Sequence, residues 1–410
     1  MRAGIRRLIG QEYPSAGRPA FVRLFLALQL GGVASGMETQ PRAEQPLTEL
    51  PMVRPAVLGA TGSLARPAIR ARAPLRLGLA GGGTDLSPYC DEHGGAVLNV
   101  TIDRYAHAFV GPATGGVRLH AADLDVRESF APSDTLDAGR LRLHRAVHKR
   151  FVDEFLGGEW INLTVTTSVD SPPGSGLGSS SALVVALVEA YRAYFDIPLD
   201  PYQVARLAFE IERRDLGLAG GRQDQYAAAF GGVNFIEFLP GDHVIVNPLR
   251  IAPHVLAEFE TSLVICFSGQ SRESSTIIEA QQLGMRRADD DALSALHTLK
   301  EDALAMKLAL LSGRLDSMAE ILHRSWEAKK RTAPGIETGL IGELQAIGEK
   351  AGACASKVSG AGGGGFVMFL VAPEDRQSLI QALNNHGPRA SAVKFTHTGA
   401  ESWRRLANSL

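Results

Sequence analysis

Cysteine is scarce in this chain of 410 residues: Cys90, Cys266 and Cys354 are far apart, odd in number and without metal-ligand spacing. That excludes a disulfide framework as the organising feature and points to a reducing compartment, the cytoplasm. Net charge is nearly absent as well, at −2. Phosphate backbones select strongly basic surfaces, so nucleic acid is not expected as a partner. No apolar run is long enough to span a bilayer, so no membrane partner is expected either. The nearest approach, Phe21 to Val33, is broken by Arg23 and Gln29. With Arg6 and Arg7 upstream and Val33-Ala34-Ser35-Gly36 downstream, it has only a faint secretory outline.

What is present is ordinary for a folded protein, 45% hydrophobic and 21% charged residues, in a length that exceeds one core. Two domains, or one domain plus appendages, are expected. Residues 1–68 carry scattered prolines and no periodicity, and read as an extension outside the fold, disordered or preceding a true start at Met37 or Met52. Val57-Leu58-Gly59-Ala60-Thr61-Gly62-Ser63 imitates a dinucleotide-binding turn, but Pro67 removes the helix that such a turn needs.

From Ile69 onward the pattern becomes regular. Leu75, Leu77 and Leu79 alternate into glycines, 96–110 reads as one or two strands, and 160–167 alternates cleanly. Ser179 to Phe195 is apolar nearly all round, which predicts a buried helix. Asp200 as N-cap, Pro201 at N1 and Gly217 beyond the end punctuate the next helix, with Val204, Leu207, Ala208 and Ile211 as its stripe. After a boundary near Arg250 come a strand at 262–267 and helices to about Arg331, with Leu293, Leu296, Leu299, Leu304, Leu308 and Leu311 as one stripe. A helix at 338–351, strands at 353–359 and 366–371, a helix at 374–386 and a strand at 390–396 follow. Without the inserted helices this is β-α-β-β-α-β, the split βαβ order.

Three glycine-rich segments carry the chemistry. Pro172-Pro173-Gly174-Ser175-Gly176-Leu177-Gly178-Ser179-Ser180-Ser181 follows a strand and opens the most apolar helix. Glycines let backbone N–H groups close on an anion, the helix start adds unpaired N–H groups and positive dipole, and serines reach phosphate oxygens or a metal ion. It is no Walker loop, because no Gly-Lys-Ser/Thr ends it. Lys357-Val358-Ser359-Gly360-Ala361-Gly362-Gly363-Gly364-Gly365 formally satisfies G-x-G-x-x-G, but a strand follows instead of a helix. The third segment, Arg72-Ala73-Pro74-Leu75-Arg76-Leu77-Gly78-Leu79-Ala80-Gly81-Gly82-Gly83-Thr84-Asp85, suits a hydroxylated or anionic ligand.

In this order and spacing the three segments resemble the GHMP kinases (galactokinase, homoserine, mevalonate and phosphomevalonate kinases), from about Ile69 to the C-terminus. The resemblance implies an α+β fold: an ATP-binding domain of the ribosomal-protein type over 69–250 and a ferredoxin-like domain over 251–410. Arg76, Thr84 and Asp85 match the galactokinase opening, whereas Gly82 and Gly83 replace its Glu-His pair. With Arg222-Gln223-Asp224-Gln225-Tyr226 and Ser271-Arg272-Glu273-Ser274, the likeness is to the D-glycero-D-manno-heptose 7-phosphate kinases. These phosphorylate an anomeric hydroxyl on the route to GDP-heptose.

The resemblance implies ATP and Mg²⁺ as cofactors and a small sugar phosphate as substrate; a homodimer is left open. Pro173, Gly174, Ser175, Gly176, Leu177, Gly178, Ser179 and Ser180 would hold the nucleotide, and Ser180 and Glu212 the metal. Helix geometry alone does not choose between Glu210 and Glu212; the family spacing selects Glu212. Asp224 would act as base, with Arg76 balancing its charge. Gly82, Gly83, Thr84, Asp85, Gly362 and Gly363 would face the substrate. Arg104, Arg272, Lys329 and Lys330 are candidate cations for the sugar's phosphate. A fucose- or galactose-type kinase, or a sensor that lost catalysis, are the other readings, and the intact Asp224, Ser180, Glu212 and Arg76 speak against a sensor.

Overall fold

The computed structural model describes residues 66–270, 274–287, 289–387 and 389–406. The secretory-like stretch, the dinucleotide-like decoy, the reading of the N-terminal extension and the Ser271-Arg272-Glu273 part of the family motif lie outside the described residues.

Two sheets organise the chain from residue 66. The first contains β1 (Ile69–Ala80), β2 (Gly95–Pro112), β3 (Val117–Ala121), β4 (Val126–Phe130), β5 (Leu163–Val169), β6 (Val233–Leu239) and β7 (His243–Pro248). The second contains β8 (Leu263–Phe267), β9 (Ala353–Val358), β10 (Phe366–Val371) and β11 (Arg389–Ala392). A last strand, β12 (Glu401–Arg404), returns to the first sheet and pairs antiparallel with β1. The first sheet runs β12-β1-β2-β5-β3-β4, with β6 on β2 and β7 on β6. Long β2 pairs with β1 on one edge and on the other serves two partners, β6 along its first half and β5 along its second. The second sheet runs β11-β8-β10-β9, all antiparallel, which is the split βαβ arrangement that the element order implies.

The helices are α1 (Tyr89–His93), α2 (Arg142–Phe155), α3 (Ser179–Tyr194), α4 (Pro201–Glu210), α5 (Gln223–Phe230), α6 (Pro253–Thr261), α7 (Ser274–Arg286), α8 (Asp290–Leu311), α9 (Leu315–Arg331), α10 (Gly339–Lys350) and α11 (Arg376–Asn384). Apolar all round, α3 is buried as its composition requires: Val184, Val185, Ala186, Leu187 and Val188 have no exposed surface. It packs between β1, β2 and α5. Asp200 caps α4 in a full capping box with Gln203, and Pro201 occupies the first turn.

Two readings need correction. On α8, Leu304, Leu308 and Leu311 are exposed, and the buried face runs through Leu296, Leu299, Ala303, Met306 and Leu310. The buried positions keep a strict three-and-four spacing through Ala303, which carries the face past Leu304, Leu308 and Leu311 on another side of the helix. The strand at 390–396 is shorter than its β-propensity suggests, ending at Ala392. Beyond it only an isolated bridge joins Phe395 to Ile102 of the first sheet. No described helix is long and apolar enough to cross a membrane.

Two histidines on α2 set an acid limit. His144 pairs with Thr167 and His148 with Tyr191, and burial pushes each imidazole down to about 4. Unfolded, each titrates near about 6.5, so the unfolded chain gains protons first as pH falls. Their stabilisation is whole above about 6.5 and is lost as pH falls through about 4, roughly 3 kcal/mol for each. Urea unfolding between pH 7 and pH 4.5 should show that loss, and His148→Phe should remove about half of the histidine part.

Candidate active site

The segment between β5 and α3 is pinned by backbone bonds from both sheets. Arg76 N–H of β1 donates to Leu177 O at 3.0 Å, and Phe366 N–H of β10 donates to Ser175 O at 2.9 Å. Gly174, Gly176 and Gly178 take φ of +70°, +76° and +74°, a conformation that side chains resist. Gly360 packs directly on Gly176, and a Cβ on Gly176 would overlap Ser359 O. This is a rigid cradle rather than a linker.

Pro173, Gly174, Gly176, Gly178, Ser179 and Ser180 line a cleft of about 470 Å³. Ser175 and Leu177, expected beside the nucleotide, are fully buried beneath it and contribute backbone bonds instead. Gly178 is the N-cap of α3, and no side chain caps that helix. Its first-turn N–H groups and positive dipole end therefore face the cleft wall.

Arg76 is the hub that joins the cradle to α5. Buried to 4% exposure, it places Nε 2.7 Å and Nη2 2.6 Å from Asp224 Oδ1. Its Nη1 donates to Gly176 O at 2.7 Å. Asp224 lies in the first turn of α5, but its side chain makes no cap; it turns toward Arg76. The other carboxylate oxygen, Oδ2, has no hydrogen-bond partner among the described residues and lies against Gly178, where a Cβ would come to 3.3 Å.

The choice between Glu210 and Glu212 is made by a widened turn. After α4 the chain continues as a π-helical turn, Ile211–Asp215, whose extra residue swings Glu212 inward. Glu212 is fully buried and accepts from Ser180 Oγ at 2.8 Å and Gln225 Nε2 at 2.5 Å. Glu210 instead pairs with Arg150, Arg206 and Arg214. A hydroxyl and a carboxylate side by side at the helix start form a hard-oxygen donor pair that suits a small divalent cation. No group of three or more His, Cys, Asp or Glu with metal-site spacing exists among the described residues. The remaining ligands would come from phosphates and water.

Asp85 is held by Gly83 N–H, Gln223 N–H and Gln223 Nε2, at 3.2, 3.1 and 3.2 Å. Gly82 and Gly83 line the cleft beside it. Thr84, expected at the substrate, is fully buried; its hydroxyl bonds Gly81 O and Ala96 O and braces the loop on β2. Gly362 and Gly363 do not line the cleft either. A Cβ on Gly362 would meet Ile336, and Gly363 N–H donates to Ile336 O, so the hairpin presents Gly360 and Ala361.

Of the candidate cations, Arg104 stacks on Phe366 and bonds Ser391, Lys330 pairs with Glu327 and Glu337, and Arg272 lies outside the described residues. Lys329 alone lines the cleft. Burial pushes its ammonium down to about 8, with Asp85 opposing the shift and Arg76 adding to it. Lys357, buried behind β1, bonds Gly78 O and Leu79 O and is pushed down to about 7 by burial, then by Lys329 and Arg76. Gln281 and Arg213 also line the cleft, and the sequence reading did not single them out as site residues.

A Cβ on Gly221 would overlap the Asp85 carboxylate. Gly221→Ala should therefore displace Asp85 from its amide donors and cost about 1–3 kcal/mol, read by thermal unfolding.

Residues 142–232 match the GHMP kinases N terminal domain and residues 306–389 the GHMP kinases C terminal. The chain is 39% identical to the D-glycero-alpha-D-manno-heptose 7-phosphate kinase of Campylobacter jejuni, over 82% of this chain and 99% of that protein. A crystal structure from Bacteroides thetaiotaomicron, described as a D-glycero-D-manno-heptose 1-phosphate kinase, superposes with a TM-score of 0.71 at 39% identity, covering 83% of this chain and 100% of the other. The bifunctional fucokinase/GDP-fucose pyrophosphorylase of Arabidopsis thaliana is 26% identical over 76% of this chain and 31% of that protein. Profile, identity and fold agree with the cradle and the Arg76–Asp224 pair: this chain belongs to the GHMP kinases, phosphotransferases with an alcohol as acceptor.

Proposed function

We propose that the chain transfers the γ-phosphoryl group of ATP to the anomeric hydroxyl of D-glycero-D-manno-heptose 7-phosphate, giving the 1,7-bisphosphate of a GDP-heptose route. The observation that carries this reading is the free Oδ2 of Asp224 beside a glycine cradle at a helix start. Phosphoryl transfer has a loose transition state, so positioning and charge stabilisation do most of the catalysis.

Gly174, Gly176, Gly178 and the first turn of α3 would take the nucleotide's phosphates through backbone N–H groups. Asp224 Oδ2 would accept the hydroxyl proton as the sugar oxygen bonds to the γ-phosphorus and the bridging bond to ADP breaks. Arg76, occupying Oδ1 through two nitrogens, fixes the carboxylate's orientation and places positive charge beside the transferring group. Ser180 and Glu212 would hold Mg²⁺, which supplies charge neutralisation at the phosphates when bound. Asp85, with lone pairs beyond those its amide donors use, would accept from sugar hydroxyls. Gly82 leaves that side of the cleft free of a side chain, which suits an acceptor larger than galactose. We place the division between the nucleotide-binding and ferredoxin-like parts near residue 250, with β12 crossing back to the first sheet.

The test is ATP consumption over a panel of heptose 7-phosphate, free heptose, fucose and galactose. Heptose 7-phosphate should be preferred, and Asp224→Asn should lower kcat by about 10²–10⁴ while ATP binding persists. Preference for fucose or galactose would replace the substrate assignment. ATP binding without turnover of any sugar would make the chain a sensor.

A further inference from the structure

Three basic residues end α9, and they fare differently. Lys330 pairs with Glu327 and Glu337, and Arg331 pairs with Asp291. Lys329, only 4% exposed, forms no ion pair with any carboxylate of the described residues. An ammonium has three donors. Lys329 uses one, to Gly82 O at 3.0 Å, and its amine borders the cleft. Burying a charge without a counter-charge is expensive, so a ligand that brings one is favoured beside it.

The surroundings keep that amine in place. Thr332 Oγ1 donates to Lys329 O at 2.8 Å and accepts from Gln281 Nε2 at 2.6 Å, locking the end of α9 against α7. Gly83 leaves the space that the amine occupies: a Cβ there would come to 3.0 Å from Nζ. Arg76, the other deeply buried cation of the cleft, is already matched by Asp224. Lys329 therefore stands beside Gly82 and Gly83 with no carboxylate of the described residues at ion-pair distance, although Asp85 lies near enough to favour its charged form.

Building on the sugar-kinase reading, we propose that Lys329 is the specificity residue that holds an anionic group already carried by the acceptor, a phosphate monoester, through its two unused N–H donors. A neutral sugar would leave this ammonium buried and unmatched, so the cleft discriminates against it. The absence of a side chain at Gly82 and Gly83 and the presence of Lys329 are then two parts of one device. The first clears the space and the second supplies the charge.

Lys329→Met tests this in the full-length chain. Steady-state kinetics should show KM for heptose 7-phosphate raised about twenty- to hundredfold, with kcat and the KM for free heptose within about threefold. Because a buried unmatched charge is removed, the melting temperature without ligand should hold or rise. Equal losses on both sugars, a fall confined to kcat, or a lowered melting temperature with parallel losses would overturn the proposal. Calorimetric binding without nucleotide separates the two readings. If wild type binds heptose 7-phosphate at least tenfold more tightly than free heptose without phosphorylating it, Lys329 keeps its role and the kinase substrate falls. If it phosphorylates heptose 7-phosphate and Lys329→Met loses nothing selectively, only the Lys329 assignment falls. Equal binding of the two sugars by wild type would also overturn it.

Discussion

Arg76 joins the glycine cradle to the proposed base. Its backbone N–H holds Leu177 of the cradle, its Nη1 holds Gly176 O, and its Nε and Nη2 hold Asp224. Ser359 Oγ lies 3.3 Å from the same Nη1 and also donates to Gly176 O. One side chain thus ties β1, the loop before α3, the first turn of α5 and the β9–β10 hairpin. Arginine suits this place because its planar fork offers five fixed donors, which an ammonium could not aim at three partners at once.

Rigidity of the cradle follows from the same arrangement. Glycine costs conformational entropy, so a glycine-rich loop is useful only if tertiary contacts fix it. Here the fixing is done by carbonyls: those of Ser175, Gly176 and Leu177 are bonded to the two sheets and to Arg76. That arrangement leaves the cleft-facing residues to a ligand. The helix end adds its dipole where no side-chain cap competes. The cleft accordingly combines a positive helix end with Arg76, which Asp224 pairs, and with Lys329, which has no carboxylate of the described residues at ion-pair distance.

The deviations from the sequence reading share a cause. Ser175, Leu177 and Thr84 belong to motifs that touch the site, but each loop turns some of its residues to the cleft and others to the core, and these three point inward. Gly362 and Gly363 fail for a related reason: a glycine hairpin presents only part of itself, and Ile336 covers the rest. Glu212 depended on a π turn, which shifts side-chain phase by a residue and leaves no mark in hydrophobic periodicity.

By itself the sequence determined what is local. The all-round apolar α3, the Asp200–Pro201 start of α4 and the strand-helix order of the second sheet all follow from short-range pattern, capping and turn chemistry. The family likeness reached further, to Arg76, Asp224 and Glu212 as candidates, and the fold brings all three to one cleft. Only the tertiary structure decided which members of each motif face the cleft, that β12 closes the first sheet, and that Lys329 meets Gly82 across 247 residues of chain. The physical reason is one of range. Backbone propensities act over a few residues, whereas a site is made where packing brings distant residues together and burial decides which charges find a partner.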